Sequence, residues 1–156
     1  MLRQSKFFFG TRNTDLIHKA LPLSFIMLHG STIRRHWRAA KTLSADEWNN
    51  LCWHKTVANI ELTRALQECD KSIAALDRAG SHDSRAFVLL RLDRFEEAIK
   101  EYDVALASGD IGSVLYGRAI AYARVGKKAE SATDAAKALK LDPLVARQFS
   151  GYGLIL

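Results

Sequence analysis

Beyond residue 43 the apolar positions recur at three- and four-residue steps, the spacing that gives a helix one buried face. The clearest run, Ala98, Ile99, Tyr102, Ala105 and Leu106, predicts a helix over about 95–107, preceded by a helix over about 82–92 and a break at Asp93-Arg94. Ser108-Gly109-Asp110 ends the second of these, since Gly tolerates the left-handed conformation that closes helices. Two further helices are predicted over about 113–125 and 127–141, with Gly126 at their turn. Pro143 is expected at the first position of a last helix, 143–150, where its missing N–H costs nothing, and Gly151 should stop it. Upstream, Ser44-Ala45-Asp46-Glu47 has the form of a capping box and opens a helix carrying Trp48, Leu51, Cys52 and Trp53; its partner should cover 63–77.

These helices repeat. A shift of 33 residues lays Arg85 on Arg118, Ala86 on Ala119, Arg91 on Arg124, Glu97 on Glu130, Ala105 on Ala138 and Leu106 on Leu139. The same shift backwards lays Ala65 on Ala98, Glu68 on Glu101, Asp70 on Asp103 and Ala74 on Ala107. Three helix-turn-helix units follow, at about 46–78, 79–111 and 112–145. Ala86, Ala98, Ala105 and Ala119 are small where helices must approach closely, and Phe87, Tyr102 and Tyr122 fill the space beside them. One helix pair cannot bury both of its faces, so neighbours must stack.

The stretch Tyr116-Gly117-Arg118-Ala119 through Tyr122, Gly126, Ala138 and Asp142-Pro143 resembles the tetratricopeptide repeat, as does Phe95-Glu96-Glu97-Ala98-Ile99 through Tyr102, Ala105 and Leu106. The span from Trp48 to Gly153 is similar to bacterial tetratricopeptide proteins that end in a short helix and an aromatic-glycine dipeptide, here Tyr152-Gly153. Departures are Gly109-Asp110 for the closing Asp-Pro, Asp93 for the turn glycine, and Ser131 and Ala135 where Ala and an aromatic are commoner.

The resemblance implies an all-α fold, a right-handed α-α superhelix of about three repeats plus a C-terminal capping helix, over residues 44–153. It implies a non-catalytic scaffold that binds a peptide or protein segment in the groove lined by the first helix of each repeat. Carried over, the groove positions are Asp83, Phe87, Leu90 and Arg91 in the second unit and Tyr116, Ile120, Ala123 and Arg124 in the third. Asn50 and His54 stand for them in the first, where the alignment is looser. Arg91 and Arg124 share one repeat position and either stack along one wall, favouring a partner with carboxylates, or are solvated helix-face arginines. Ser113 and Gly117 stand where a basic residue would be needed to hold acidic chaperone tails, so that ligand is not expected. Arg85 and Arg118 each follow an aspartate, Asp70 and Asp103, by fifteen residues; an inter-repeat ion pair copied twice is expected.

The charge is unevenly spread. The chain has a net charge of +6, yet residues 1–43 hold eight Lys or Arg against the single acid Asp15, which leaves fifteen bases and sixteen acids for the rest. This arm, residues 1–43, is expected to be partly disordered or to form a helical cap, with Trp37 and Ala40 on one face of a helix over 33–43. Alternatives are a degenerate targeting segment around the apolar run 21–28, a basic arm touching nucleic acid or anionic lipid, and a start at Met27. That run is too short to span a membrane. A second functional reading follows, an adaptor tethered to nucleic acid or anionic membrane through the arm; the near-neutral repeats themselves call for neither partner.

Cys52 and Cys69 match no zinc spacing and are expected reduced and at least partly buried, with one bridge open to them in an oxidising compartment because their helices should pack together. No phosphate loop, nucleophile elbow or His-Glu metal pair occurs, and His54 lies on a different helix face from Cys52. No enzyme activity, cofactor or metal is therefore expected. The expected location is cytoplasmic, or periplasmic if the N-terminal segment is a targeting signal.

Overall fold

The computed structural model describes residues 43–156, so the expectations for the basic arm lie outside the described residues. Seven α-helices occur and no strand among the described residues: α1 Ala45–Ala58, α2 Leu62–Ala75, α3 Ala79–Arg91, α4 Phe95–Leu106, α5 Gly112–Arg124, α6 Lys128–Leu141 and α7 Val145–Gly151. The capping box is present. The Ser44 hydroxyl accepts the Glu47 N–H at 3.2 Å while the Glu47 carboxylate accepts the Ser44 N–H at 2.8 Å.

The first helix of each pair closes in one way, with an N–H reaching back five residues past a left-handed one. Arg94 donates to the Leu89 carbonyl and Lys127 to the Tyr122 carbonyl, each at 2.9 Å, across Asp93 at φ 58° and Gly126 at φ 81°. In α1 the same bond runs from Ile60 to Lys55 at 3.0 Å across Asn59 at φ 55°. The third closure thus follows the second by 33 residues, but the second follows the first by 34.

Two boundaries differ from expectation. Helix α3 starts at Ala79, after the extended Arg78, and so opens earlier than 82. Pro143 is not the first residue of α7, which begins two residues later: the Asp142 side chain accepts the Leu144 N–H at 2.9 Å and holds Pro143 in a turn.

Consecutive helices pack as α1 on α2, α3 on α4 and α5 on α6, and these pairs join through α2–α3 and α4–α5. The first helices also touch each other, α1 with α3 and α3 with α5, while α7 lies on α5 and α6. Ala86, Ala98, Ala105 and Ala119 are fully buried at these crossings, where a longer side chain would push the helices apart. The main apolar cluster runs from Phe87 and Leu89 through Tyr102, Leu115 and Ile120 to Phe149; a smaller one surrounds Cys52, Ala65, Cys69 and Val88.

The cysteines correct the expectation of free thiols. Both are buried as foreseen, but Cys52 and Cys69 form a disulfide between α1 and α2. The physical reason is the close approach of these helices, which sets the two Cα atoms 5.4 Å apart, within the reach of a bridge.

Candidate binding cavity

Four aromatic side chains meet where Phe149 of α7 and Tyr152 just after it reach Phe87 of α3 and Trp53 of α1. The ring centroids of Trp53 and Phe87 are 5.5 Å apart, Phe87 and Phe149 5.7 Å, Phe87 and Tyr152 5.6 Å, and Trp53 and Tyr152 6.4 Å. Edge-on and tilted pairs such as these add to the burial of apolar area. Tyr116 of α5 extends the cluster, 5.1 Å from Phe149.

Beside these rings lies a cavity of about 270 Å³, whose lining adds Asp83, Tyr102, Ser113 and Gln148. The Asp83 carboxyl is pushed up to about 6 by burial, with no charge among the described residues to offset it. Tyr102 is buried and its hydroxyl has no hydrogen-bond partner among the described residues; burial and the charge of Asp83 both hold that phenol well above its ordinary range. Gly117 lies against it, because a Cβ there would overlap the Tyr102 hydroxyl and ring.

The two repeat-related arginines serve the chain's own C-terminus. Arg91 Nη2 donates to the Tyr152 carbonyl at 2.7 Å, and Arg124 Nη2 donates to the Ile155 carbonyl at 3.0 Å. Arg91 also stands 5.3 Å from the centre of the Phe87 ring. Burial lowers its affinity for the proton, and its Nε has no partner among the described residues.

Of the other sequence-derived positions, Asp83 and Phe87 line the cavity and Tyr116 adjoins it. Leu90 and Ile120 are buried in the core, where they can touch no partner without unpacking it. Asn50 and His54 are exposed and off the cavity, while Trp53 supplies α1's part of the wall. The 34-residue step explains the slip: counting back 33 from Phe87 gives His54, and counting back 34 gives Trp53. Tyr102, Phe149 and Tyr152 complete the lining beyond the sequence-derived positions, and the Tyr152-Gly153 dipeptide is the sequence signal that points to the last of them.

The paired charges occupy the other side of the helices. Arg85 Nε lies 2.7 Å from Asp70 and its Nη1 2.6 Å from Glu101; Arg118 Nη1 lies 2.7 Å from Asp103 and its Nε 2.7 Å from Asp134. Each arginine thus bridges the second helix of the preceding pair and that of its own pair. His82 sits between Glu101 at 2.6 Å and Asp77 at 2.8 Å. Burial opposes its charged form, but the two carboxylates outweigh that and raise its pKa.

Among the described residues no group of three or more His, Cys, Asp or Glu could hold a metal ion, and no helix is long and apolar enough to cross a membrane. No family model, no curated protein and no solved structure matches the chain.

Proposed function

We propose that residues 44–153 are a tetratricopeptide-like solenoid of three repeats with a closing helix, and that the protein is a non-catalytic scaffold that binds a polypeptide segment. One observation carries the reading. The first helices of the three pairs contribute Trp53, Phe87 and Tyr116 to a single aromatic cluster whose half-exposed members, Trp53 and the Tyr152 that packs on it, line an open cavity with a polar centre, and accessible aromatics around such a centre are what peptide-binding sites use as anchors. The fate of Arg91 and Arg124 moves the emphasis away from an acidic partner, since both guanidiniums already hold backbone carbonyls.

The test is a peptide-display selection on the full chain, followed by titration of the selected peptides against it and against Trp53→Ala and Tyr152→Ala. Peptides that weaken by about tenfold or more on both variants support the groove. Peptides that bind all three proteins alike would remove it. The segregation of basic charge into residues 1–43 favours the second reading, a tethering arm, which has its own signature: binding to a polyanion that falls steeply as salt is raised.

Between cytoplasm and periplasm, the Cys52–Cys69 bridge favours the oxidising periplasm, because cytosolic reductants keep structural thiols reduced. Thiol titration of denatured protein taken from its native source, without added reductant, checks this. Two free thiols would return the protein to a reducing compartment.

A further inference from the structure

The cavity holds a carboxylate without a counter-ion. Among the described residues no Lys, Arg or His pairs with Asp83 and no donor bonds to it, and burial is the sole cause of its raised pKa. The cations closest to it along α3 are committed elsewhere. His82 and Arg85 are held by Asp77, Glu101 and Asp70, and Arg91, two turns further along, by the Tyr152 carbonyl.

A second observation points the same way. The buried Tyr102 hydroxyl, beside the same space, has no partner among the described residues, and a phenol oxygen can accept as well as donate. The Ser113 hydroxyl and the Gln148 amide add further acceptors at the lining. The remaining walls are aromatic faces and edges, which attract cations and accommodate an alkyl stem. An anion would meet the Asp83 charge, and an uncharged apolar group would leave the polar centre unmatched.

We propose that this cavity binds a primary ammonium group on a short alkyl stem, supplied by a lysine side chain of a bound polypeptide or by a free alkyl amine. The lysine source rests on the peptide-binding reading above; the free amine does not. Three donors on a compact charge suit acceptors converging from α3, α4, α5 and α7, whereas the volume of about 270 Å³ is at the small end for an organic ligand.

Calorimetric titration of the full chain with two matched pairs tests the proposal: n-butylamine against n-butanol, and N-acetyl-lysine methylamide against its norleucine analogue. The Trp53 indole N–H resonance serves as the local reporter. The charged member of a pair should bind about tenfold more tightly than the neutral one and shift that resonance. Asp83→Asn, which keeps shape and removes only charge, should abolish the preference, while Glu96→Gln at an exposed site should leave it intact. Should Asp83→Asn not fold, Tyr102→Phe, which removes one acceptor, should weaken the charged ligand selectively. Preference for both amines supports a lysine source; preference for butylamine alone supports a free amine and leaves the peptide reading to its own test. Equal binding of charged and neutral partners, no binding by either, or a preference that survives Asp83→Asn would overturn the proposal.

Discussion

At Asp83 a carboxylate that would help to hold a cation makes the empty fold less stable. Its acid is pushed from 3.8 to about 6 by burial, so the folded state keeps a proton that the unfolded chain has released. Below 3.8 the group is protonated in both states and contributes no penalty. The penalty builds as pH rises from 3.8, where the unfolded chain ionises, to about 6, where the folded state does, and it reaches at most about 3 kcal/mol in this recessed site. Asp83→Asn should therefore match the wild type near pH 4 and exceed it at pH 8 in urea midpoint; curves that run parallel would show that Asp83 is well solvated. Gly117 gives a case where local preference and packing disagree. Alanine in a mid-helix position is ordinarily worth about 1 kcal/mol over glycine, but the added Cβ would run into the Tyr102 ring. Packing should win: Gly117→Ala is expected to lose about 1–3 kcal/mol in chemical denaturation, and a gain would mean that Tyr102 can swing aside.

Among the helices, one basic residue serves two carboxylates at each junction, and the two copies are not equal. Asp134 is nearly buried, whereas Asp70, Asp103 and Glu101 keep more contact with water. Arg118→Leu should thus cost about 3 kcal/mol, because it leaves Asp134 buried and unpaired; Arg85→Leu should cost less, and adding Asp134→Leu to the former should restore much of the loss. A double-mutant cycle by urea unfolding reads this, and equal costs at Arg85 and Arg118 would argue against burial as the deciding factor. The aspartates fifteen residues upstream were legible because both halves of the pair repeat. Glu101 and Asp134 share the same 33-residue step but differ in residue type, so their repeat is one of charge and not of identity. The helices were equally legible, since their apolar faces, cap and turn residues are local signals. Backbone acceptors are not: the Tyr152 and Ile155 carbonyls that engage Arg91 and Arg124 have no side-chain signature. Nor does a pair of cysteines on adjacent helices reveal whether it is bonded, since the answer depends on a separation and on surroundings that the sequence does not state.

For the described unit as a whole, the C-terminal segment covers apolar surface that α5 and α6 would otherwise leave in water. Helix α7 buries Val145 and Phe149, and the turn after it brings Tyr152 against Trp53 and Phe87. Only seven residues long, α7 has little helical tendency of its own. Its order comes from packing on α5 and α6 and from the two arginine-to-carbonyl bonds. Removal of residues 144–156 should uncover Phe87 and Tyr116 together, with the loss of Phe149 alone worth about 3–5 kcal/mol. The shortened chain should melt at lower temperature and bind a dye that reports exposed apolar surface. A synthetic peptide of residues 143–156 added in excess should raise the melting temperature again, since it binds the folded form. The same peptide carrying Phe149→Ala should fail to do so, because the ring between Phe87 and Tyr116 is its main anchor. If the truncated chain melted like the full one and took up no dye, the segment would lie on the surface without closing anything, and the aromatic wall would have to be stable without it.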